Sequence, residues 1–555
     1  MTKEHWSEVK AREVTEHCRK HADELPDEIV VASGASTSGR LHVGNARDVL
    51  TADAVARVLR ERYHEDVRVV WISDDVDPLR RIPRDLDGRL SEDYLGVPYK
   101  AIPVGDEPYS DRWARNFVEE LREFGAEVEW ISSAELYTDN GFVKLVREVV
   151  NDYYGGGGRL ASVLERFGLE DARVYMPVCE ECGRIATTRV VDVDGWRIEY
   201  VCEGRHEIGD AVLEGCGHRG ELDLRKPIEV NGFEIPPGKL GWKIEWPTRW
   251  VYLGVACEPF GKDHYVAGGS YEVGSAIAEE FFGFPAPVPV PYEWITLDGK
   301  AMSSSKGHYV TLSDWGEVCH REVLRYLVLR GKPLKHLDLD LRFGLLQAVD
   351  DYDELEKRYF AGEADERERR IYELSRVDEI PEECPPHVPF RFCAVVAQVV
   401  GIEDDVSEEE FERALEIFRR TGHLEAEPEG FGREWLRERL EKASRWVDRY
   451  APEEARFRVR EEPEPVELSD KEREFLEDLV RRLESETTKE DPETLQRTVF
   501  EAARTAGLRP ADAFRVFYNV VVGKDRGPRA GTLIAAVGVD RISRLIRGCL
   551  EASED

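Results

Sequence analysis

The sequence predicts an α/β parallel-sheet domain, interrupted by an inserted metal-binding subdomain and followed by an all-α region. Three observations support this. Strand-like apolar runs, Ile29 to Ala32, Val67 to Ile72 and Val128 to Ile131, alternate with amphipathic stretches in the first part of the chain. Such alternation signals strands joined by helical crossovers, with helices covering both faces of one sheet. Four cysteines, Cys179, Cys182, Cys202 and Cys216, gather in a short stretch. Beyond the middle of the chain, helix-start signals follow one another without strand patterns between them.

The first run leads into Thr37-Ser38-Gly39-Arg40-Leu41-His42-Val43-Gly44-Asn45, after which Val49, Leu50, Val55, Val58 and Leu59 recur at helical spacing. A small-residue turn therefore places His42 at a helix N-terminus. Free backbone N–H groups and the positive end of the helix dipole favour bound phosphate there, and an imidazole adds a donor. Gly34, Gly39 and Gly44 let backbone approach a ligand closely. The second run ends in Ser73-Asp74-Asp75-Val76-Asp77-Pro78. Ligands of open parallel sheets bind at the carboxyl ends of strands, so these acids border the same crevice; turn and capping chemistry is their alternative use.

Gly155 to Gly158 breaks the alternation, and the cysteines follow. Cys179 and Cys182 have knuckle spacing, and thiolates suit zinc. His206 and His218 lie close enough in sequence to replace a later ligand, and an empty thiol cluster is the competing reading. Four protein ligands leave no open position, so such a zinc would be structural. The sheet then resumes. Gly241 to Trp250 carries Trp242, Trp246 and Trp250, followed by Gly261-Lys262-Asp263-His264 and a helix opened by Gly268-Gly269-Ser270. Tryptophans this dense serve a core or line a pocket, and an aromatic face also holds an ammonium well.

Lys300-Ala301-Met302-Ser303-Ser304-Ser305-Lys306-Gly307 is a small-residue loop ending in a cation. Past it, Ser407 with Glu410 and Ser469 with Glu472 are capping boxes, Asp491-Pro492 is an N-cap followed by proline, and Gly523 is a helix stop. Trp435, Leu436, Leu440, Ala443, Trp446, Val447 and Tyr450 share one helical stripe, which reads as a core face. Pro381 to Pro386 and Glu461 to Pro465 read as connections.

At 555 residues the chain suits several domains. No apolar stretch reaches membrane-spanning length and no secretory leader is evident, so a cytoplasmic location is expected. Ten cysteines, four of them in one cluster, do not suggest a secreted disulfide scaffold. The formal charge of −36 argues against a polyanion partner if taken as a whole. A local basic path is compatible with it, because acidic excess is a whole-surface property.

His42-Val43-Gly44-Asn45 resembles the HIGH motif of class I aminoacyl-tRNA synthetases, and Met302 to Lys306 resembles their KMSKS loop. Ser73 to Arg80, Gly261 to His264, the triple serine and Gly523 to Arg529 are similar to the class I lysyl members. The resemblance implies a Rossmann-type catalytic domain and a helix-cage anticodon-binding region. It divides the chain into residues 1–155 and 226–298 as the two halves of the catalytic domain, 156–225 as the zinc insertion, 299–360 as loop and connection, and 361–555 as the anticodon-binding helices. It also implies ATP with Mg²⁺ as cofactor, a structural Zn²⁺, and L-lysine and tRNA(Lys) as partners; a monomer is favoured.

By the same resemblance His42, Asn45 and Lys306 are catalytic. Ser38, Gly39, His42, Gly44, Asn45 and Met302 to Lys306 (Ser303, Ser304 and Ser305 included) hold ATP, with Lys300 as a second cation. Gly34, Ser36, Asp75, Trp242 and His264 hold lysine, and Cys179, Cys182, Cys202 and Cys216 hold the metal. The chain departs from the family at Ala301, where the generic loop begins with lysine. A glutamyl- or glutaminyl-type synthetase, a smaller nucleotidyltransferase of the same superfold and a catalytically silent tRNA-binding relative are the alternatives. The first would present a fixed cation to a side-chain carboxyl group.

Overall fold

Seven successive residues, Ile29–Ala35, form strand β1, and all but the last two are buried. That apolar continuity is what a central parallel strand needs, since helices cover both its faces. Around β1 lie β2 (Val67–Ser73), β3 (Glu129–Ser132), β4 (Val255–Gly261) and β5 (Val288–Tyr292), in the order β5-β4-β1-β2-β3, every pair parallel. The chain builds outward from β1 to β3 on one side, then returns to build β4 and β5 on the other. The switch point between β1 and β4 opens a crevice beyond the carboxyl ends of the strands, where ligands of such sheets bind.

A computed structural model describes the chain apart from residues 1–3, 22–24, 65, 87, 209–210, 404, 486–490 and 554–555; the side chains of Asp85 and Ser305 also lie outside the described set. The chain divides into two compact units, one of residues 1–313, 324–339 and 365–378, the other of 314–323, 340–364 and 379–555.

In the first unit, α1 (Trp6–His21) precedes β1, α2 (Val43–Arg62) connects β1 to β2, and α3 (Tyr109–Glu123) lies between β2 and β3. Nearly every residue of α2 from Ala46 to Leu59 is buried, including Asp53. Asp53 is held by Arg325 at 2.6 Å and Arg57 at 2.9 Å. Burial by itself would raise the carboxyl group; the two guanidinium groups outweigh it and keep the group below its usual range. Arg325 also donates to the carbonyls of Phe124 (3.0 Å) and Leu374 (2.8 Å).

The insertion forms small antiparallel sheets, the largest from Thr188–Asp194, Arg197–Cys202 and Arg219–Asp223. The tryptophan-rich segment, expected where the sheet resumes, is instead helix α4 (Trp242–Leu253), and the strand begins only at Val255. Trp242, Trp246 and Trp250 are spaced by four, so a helix stacks them on one face, whereas a strand would line them up singly. After β5 comes a hairpin of β6 (Ile295–Leu297) and β7 (Lys300–Ala301). Its two-residue turn, Asp298-Gly299, has φ of 50° and 72°, the left-handed pair that matches strand twist. It delivers the chain directly into the serine-rich loop.

The second unit is helical. Its members include α5 (Phe343–Phe360), α6 (Phe390–Val400) and α7 (Gly430–Arg449). Both expected capping boxes are present, Asp491 accepts from the Thr494 N–H at 2.9 Å ahead of Pro492, and Gly523 ends its helix at φ 68°. The stripe on α7 is buried except for half-buried Tyr450, which follows its last residue. Arg439 on that helix makes a buried pair with Asp353. Among the described residues, no helix is long and apolar enough to cross a membrane.

Replacing Arg325 with Ala strips Asp53 of one of its two cations in the interior and strands two carbonyls. The expected loss is about 3–5 kcal/mol of folding stability in urea titration; a change under about 1 kcal/mol would show the network to be dispensable.

Candidate active site

His42 is the N-cap of α2. Its backbone is extended (φ −139°), and Nδ1 accepts a hydrogen bond from the Gly44 N–H at 3.1 Å. A nitrogen that accepts carries no proton, so in the neutral ring the hydrogen sits on Nε2 and is free to donate. Burial pushes the imidazole down to about 4, which keeps it neutral near pH 7. Asn45 completes the box: its Oδ1 accepts from the His42 N–H at 3.1 Å, leaving its NH₂ group as donor. One local motif thus fixes the orientation of both side chains.

The serine loop folds onto this turn. Ser304 Oγ donates to the Arg40 carbonyl at 2.5 Å, and Val43 N–H donates to the Val310 carbonyl at 2.9 Å. A Cβ added to Gly39 would stand 3.1 Å from the Cβ of Ser304, and one on Gly44 would stand 3.2 Å from Met302 Cε and 2.9 Å from the His42 ring. The Tyr309 ring stacks 6.2 Å from that of His42. The two glycines are required here for close approach. Ser303 N–H bonds the His308 carbonyl at 2.7 Å and closes the loop, while Lys300 and Lys306 remain exposed at its edge. Ser38 is exposed; together with half-buried Ser36 it meets the buried Tyr99 hydroxyl.

Beside this turn lies a cavity of about 320 Å³ at the switch point, lined by Gly34, Ser36, Asn45, Trp242 and His264 among others. Trp242 stacks on Trp246 at 5.3 Å and 16°, and His264 stands 5.6 Å from Trp246. Asp75, expected in this group, does not line it. It is buried the other way, accepting from Ser132 Oγ and from the Ala134 N–H (2.9 Å), with Lys100 at 3.9 Å. Asp74 and Asp75 leave the end of β2 on opposite sides, and the turn that follows brings Asp77 to the cavity beside Asp74.

Those two acids belong to a buried network that the sequence reading missed. Lys239 bonds Asp77 at 2.5 Å and Glu245 at 2.7 Å; Arg249 bonds Asp74 at 2.6 Å and Glu245 at 3.0 Å. Burial works against the Lys239 ammonium, yet its acidic neighbours overcome this and hold it above the usual lysine range. Arg249 is raised in the same way. Both cations are therefore already neutralised. Glu258 on β4 is different. It lines the cavity and accepts from the indole N–H groups of Trp246 (2.9 Å) and Trp250 (2.5 Å), and among the described residues it forms no ion pair. Burial pushes its carboxyl group up to about 7 against these donors. Asp48, which accepts from the Gly34 N–H at 3.1 Å, is likewise raised by burial. The available signal for Glu258 was an acid inside an otherwise apolar strand, Val255 to Gly261.

The four cysteines converge elsewhere in this unit. Their sulfurs all lie within 4.8 Å of one another, with Cys179–Cys216 at 3.6 Å and Cys182–Cys202 at 3.8 Å. Tetrahedral thiolates around zinc would be about 3.8 Å apart, so the donor set fits that metal. His206 instead bonds the Glu203 carbonyl at 3.0 Å, and the His218 ring packs 6.0 Å from that of Tyr200.

A donor-bearing helix N-terminus beyond the first strand, closed by a serine-lysine loop beside a cavity at the switch point, defines a nucleotide-binding α/β catalytic domain. The family described as tRNA synthetases class I (K) matches residues 4–378, and the chain belongs to that family; it is an aminoacyl-tRNA synthetase. It is 34% identical to the lysine–tRNA ligase of Methanosphaera stadtmanae, over 98% of this chain and 99% of that protein. The lysine–tRNA ligases of Archaeoglobus fulgidus (34%; 98% and 100%) and Thermoplasma acidophilum (34%; 94% and 96%) are similar to the same degree.

The cap geometry makes a direct prediction. In ¹⁵N NMR, His42 stays neutral with its proton on Nε2 through roughly pH 5 to 8. A titration near the ordinary histidine range would contradict it.

Proposed function

We propose that this chain activates L-lysine with ATP to lysyl-adenylate and transfers it to the 3′ end of tRNA(Lys), releasing AMP and diphosphate. The observation that carries the choice of amino acid is the charge pattern of the cavity. Arg249, the one guanidinium group among the described residues that line it, is already neutralised by Asp74 and Glu245, whereas Glu258 faces the cavity with no ion pair among the described residues. A glutamate side chain would find no free positive charge there. An ammonium would find a carboxylate and the faces of Trp242 and Trp246, and its charge would draw the raised Glu258 carboxyl into its ionised form.

In this reading Gly34, Ser36, Trp242 and His264, with Glu258 and Asp48 added and Asp75 removed, surround the lysine. The carboxylate of lysine attacks the α-phosphorus of ATP. No enzyme nucleophile is required, because alignment and charge stabilisation suffice. His42 Nε2–H and the Asn45 amide donate to phosphate oxygens from the helix end. Lys306 and Lys300 approach from the loop, whose residues Met302 to Ser305 close the opposite side, while Ser38, Gly39 and Gly44 line the turn beside His42. Mg²⁺ accompanies ATP and supplies counter-charge. The terminal adenosine hydroxyl of tRNA then attacks the adenylate carbonyl and AMP leaves. Cys179, Cys182, Cys202 and Cys216 would hold a structural Zn²⁺, which pins the insertion and leaves no coordination position for chemistry.

ATP–pyrophosphate exchange with tRNA present tests the reading: lysine supports exchange and glutamate does not. His42→Ala slows it by roughly 10²–10³-fold, the scale of one lost transition-state donor; unchanged kcat would remove His42 from the chemistry. Metal analysis of the purified protein gives about one zinc per chain, lost in Cys182→Ser. Protein that purifies without zinc would count against the thiolate site.

A further inference from the structure

The loop has an electrostatic gap. As pyrophosphate leaves ATP, negative charge grows on the β- and γ-phosphates, and Ala301 stands where related loops carry a lysine. Lys300 and Lys306 remain, one at each end. The fold brings a third cation to the same edge from a distant part of the sequence. Arg84 opens a short 3₁₀ turn, Arg84–Leu86, in the connection after β2. Its guanidinium lies on Gly307, the residue after Lys306: a Cβ at Gly307 would stand 2.6 Å from Arg84 Nη1 and 3.6 Å from its Cδ. Gly307 is therefore required twice, by its φ of 68° and by the arginine lying against it.

Two further observations separate Arg84 from an ordinary surface arginine. In a chain with 113 acidic and 77 basic residues, most arginines near this site are engaged, as Arg40, Arg47 and Arg249 are. Arg84 is exposed, and among the described residues no ion pair or hydrogen bond occupies its guanidinium. The turn that carries Gly307 is also the one that Ser304 fastens to Arg40 and packs on Gly39, beside His42. An unpaired guanidinium so placed sits at the rim of the phosphate-binding turn.

We propose that Arg84 is a catalytic residue of adenylate formation, donating to the β- and γ-phosphates in place of the lysine absent at Ala301. In the step, a lysine carboxylate oxygen bonds to the α-phosphorus as the bond from that phosphorus to the bridging oxygen breaks. The electron pair leaves with pyrophosphate, and Arg84 stabilises it by hydrogen bonds without transferring a proton. A guanidinium suits the task because its planar fork engages two phosphate oxygens at once. The inference rests on lysine activation at this site.

The test is lysine-dependent ATP–pyrophosphate exchange by the full chain with tRNA present, comparing the unaltered protein with R84Q, R84K and R84Q/A301K. R84Q lowers kcat by roughly 10- to 100-fold, while KM for ATP moves less than about threefold and the thermal unfolding profile is unchanged. R84K retains part of the rate, and A301K restores much of what R84Q loses. Undiminished kcat in R84Q, or a loss that A301K does not relieve, overturns the role of Arg84 while leaving lysine activation in place. No lysine-dependent exchange by the unaltered protein overturns that underlying activity, and the inference with it.

Discussion

The buried charge network of Lys239, Glu245, Arg249, Asp74 and Asp77 holds the cavity together. It joins two stretches far apart in sequence: Lys239 to Arg249, which runs into helix α4, and the loop after β2. Interior charges are costly to desolvate, and mutual attraction offsets that cost only when geometry and hydrogen bonding are nearly complete. Here Glu245 also accepts from Tyr137 (3.0 Å) and Ser133 (3.2 Å). Removing Lys239 would strand Asp77 and removing Arg249 would strand Asp74, each left charged without its partner, so the cluster defines position more than it adds stability. Because two cations face three carboxylates within the network, it offers the cavity no free positive charge, and Glu258 and Asp48 add further acids to its wall. In the proposed reading, a preference for a cationic side chain follows from that arrangement.

A second constraint acts at the start of α2. The same hydrogen bonds that cap the helix determine which nitrogen of His42 is protonated and which way the Asn45 amide faces. Folding the helix and orienting these two donors are thus one event. The linkage to stability runs in one direction. With its pKa lowered to about 4, the folded imidazole binds no proton where the unfolded one does. Its contribution is present above the unfolded value and is lost as pH falls through that interval. The serine loop depends on this turn, since Ser304 and Met302 pack where only Gly39 and Gly44 leave room.

Cooperation between distant segments is also compatible with the acidic composition. A net charge of −36 does not prevent a basic rim, because the cations that matter are those left without acidic partners. Lys300, Lys306 and Arg84 lie on or against one loop, with Arg84 against Gly307, the residue after Lys306. The cysteine insertion achieves its own local order differently: the turn from Cys179 to Gly183, with φ 70° at the glycine, brings paired thiols together within a few residues.

What the sequence determined by itself was local. Continuous apolar runs fixed β1 and β2, the small-residue turn placed His42 at a helix start, capping boxes placed the later helices, and cysteine spacing foretold the thiol cluster. Each depends on residues a few positions apart, where backbone geometry and side-chain reach are decisive. Where local pattern was ambiguous the reading failed: the tryptophan segment is a helix, and Asp75 turns to Ser132 and Ala134 while its neighbours Asp74 and Asp77 face the cavity. Only the tertiary structure decided that Arg249 is neutralised, that Glu258 is not, and that Arg84 lies on Gly307. Those facts depend on which side chains meet across long sequence separations, and the energy of a charge depends on that company and on its exclusion from water.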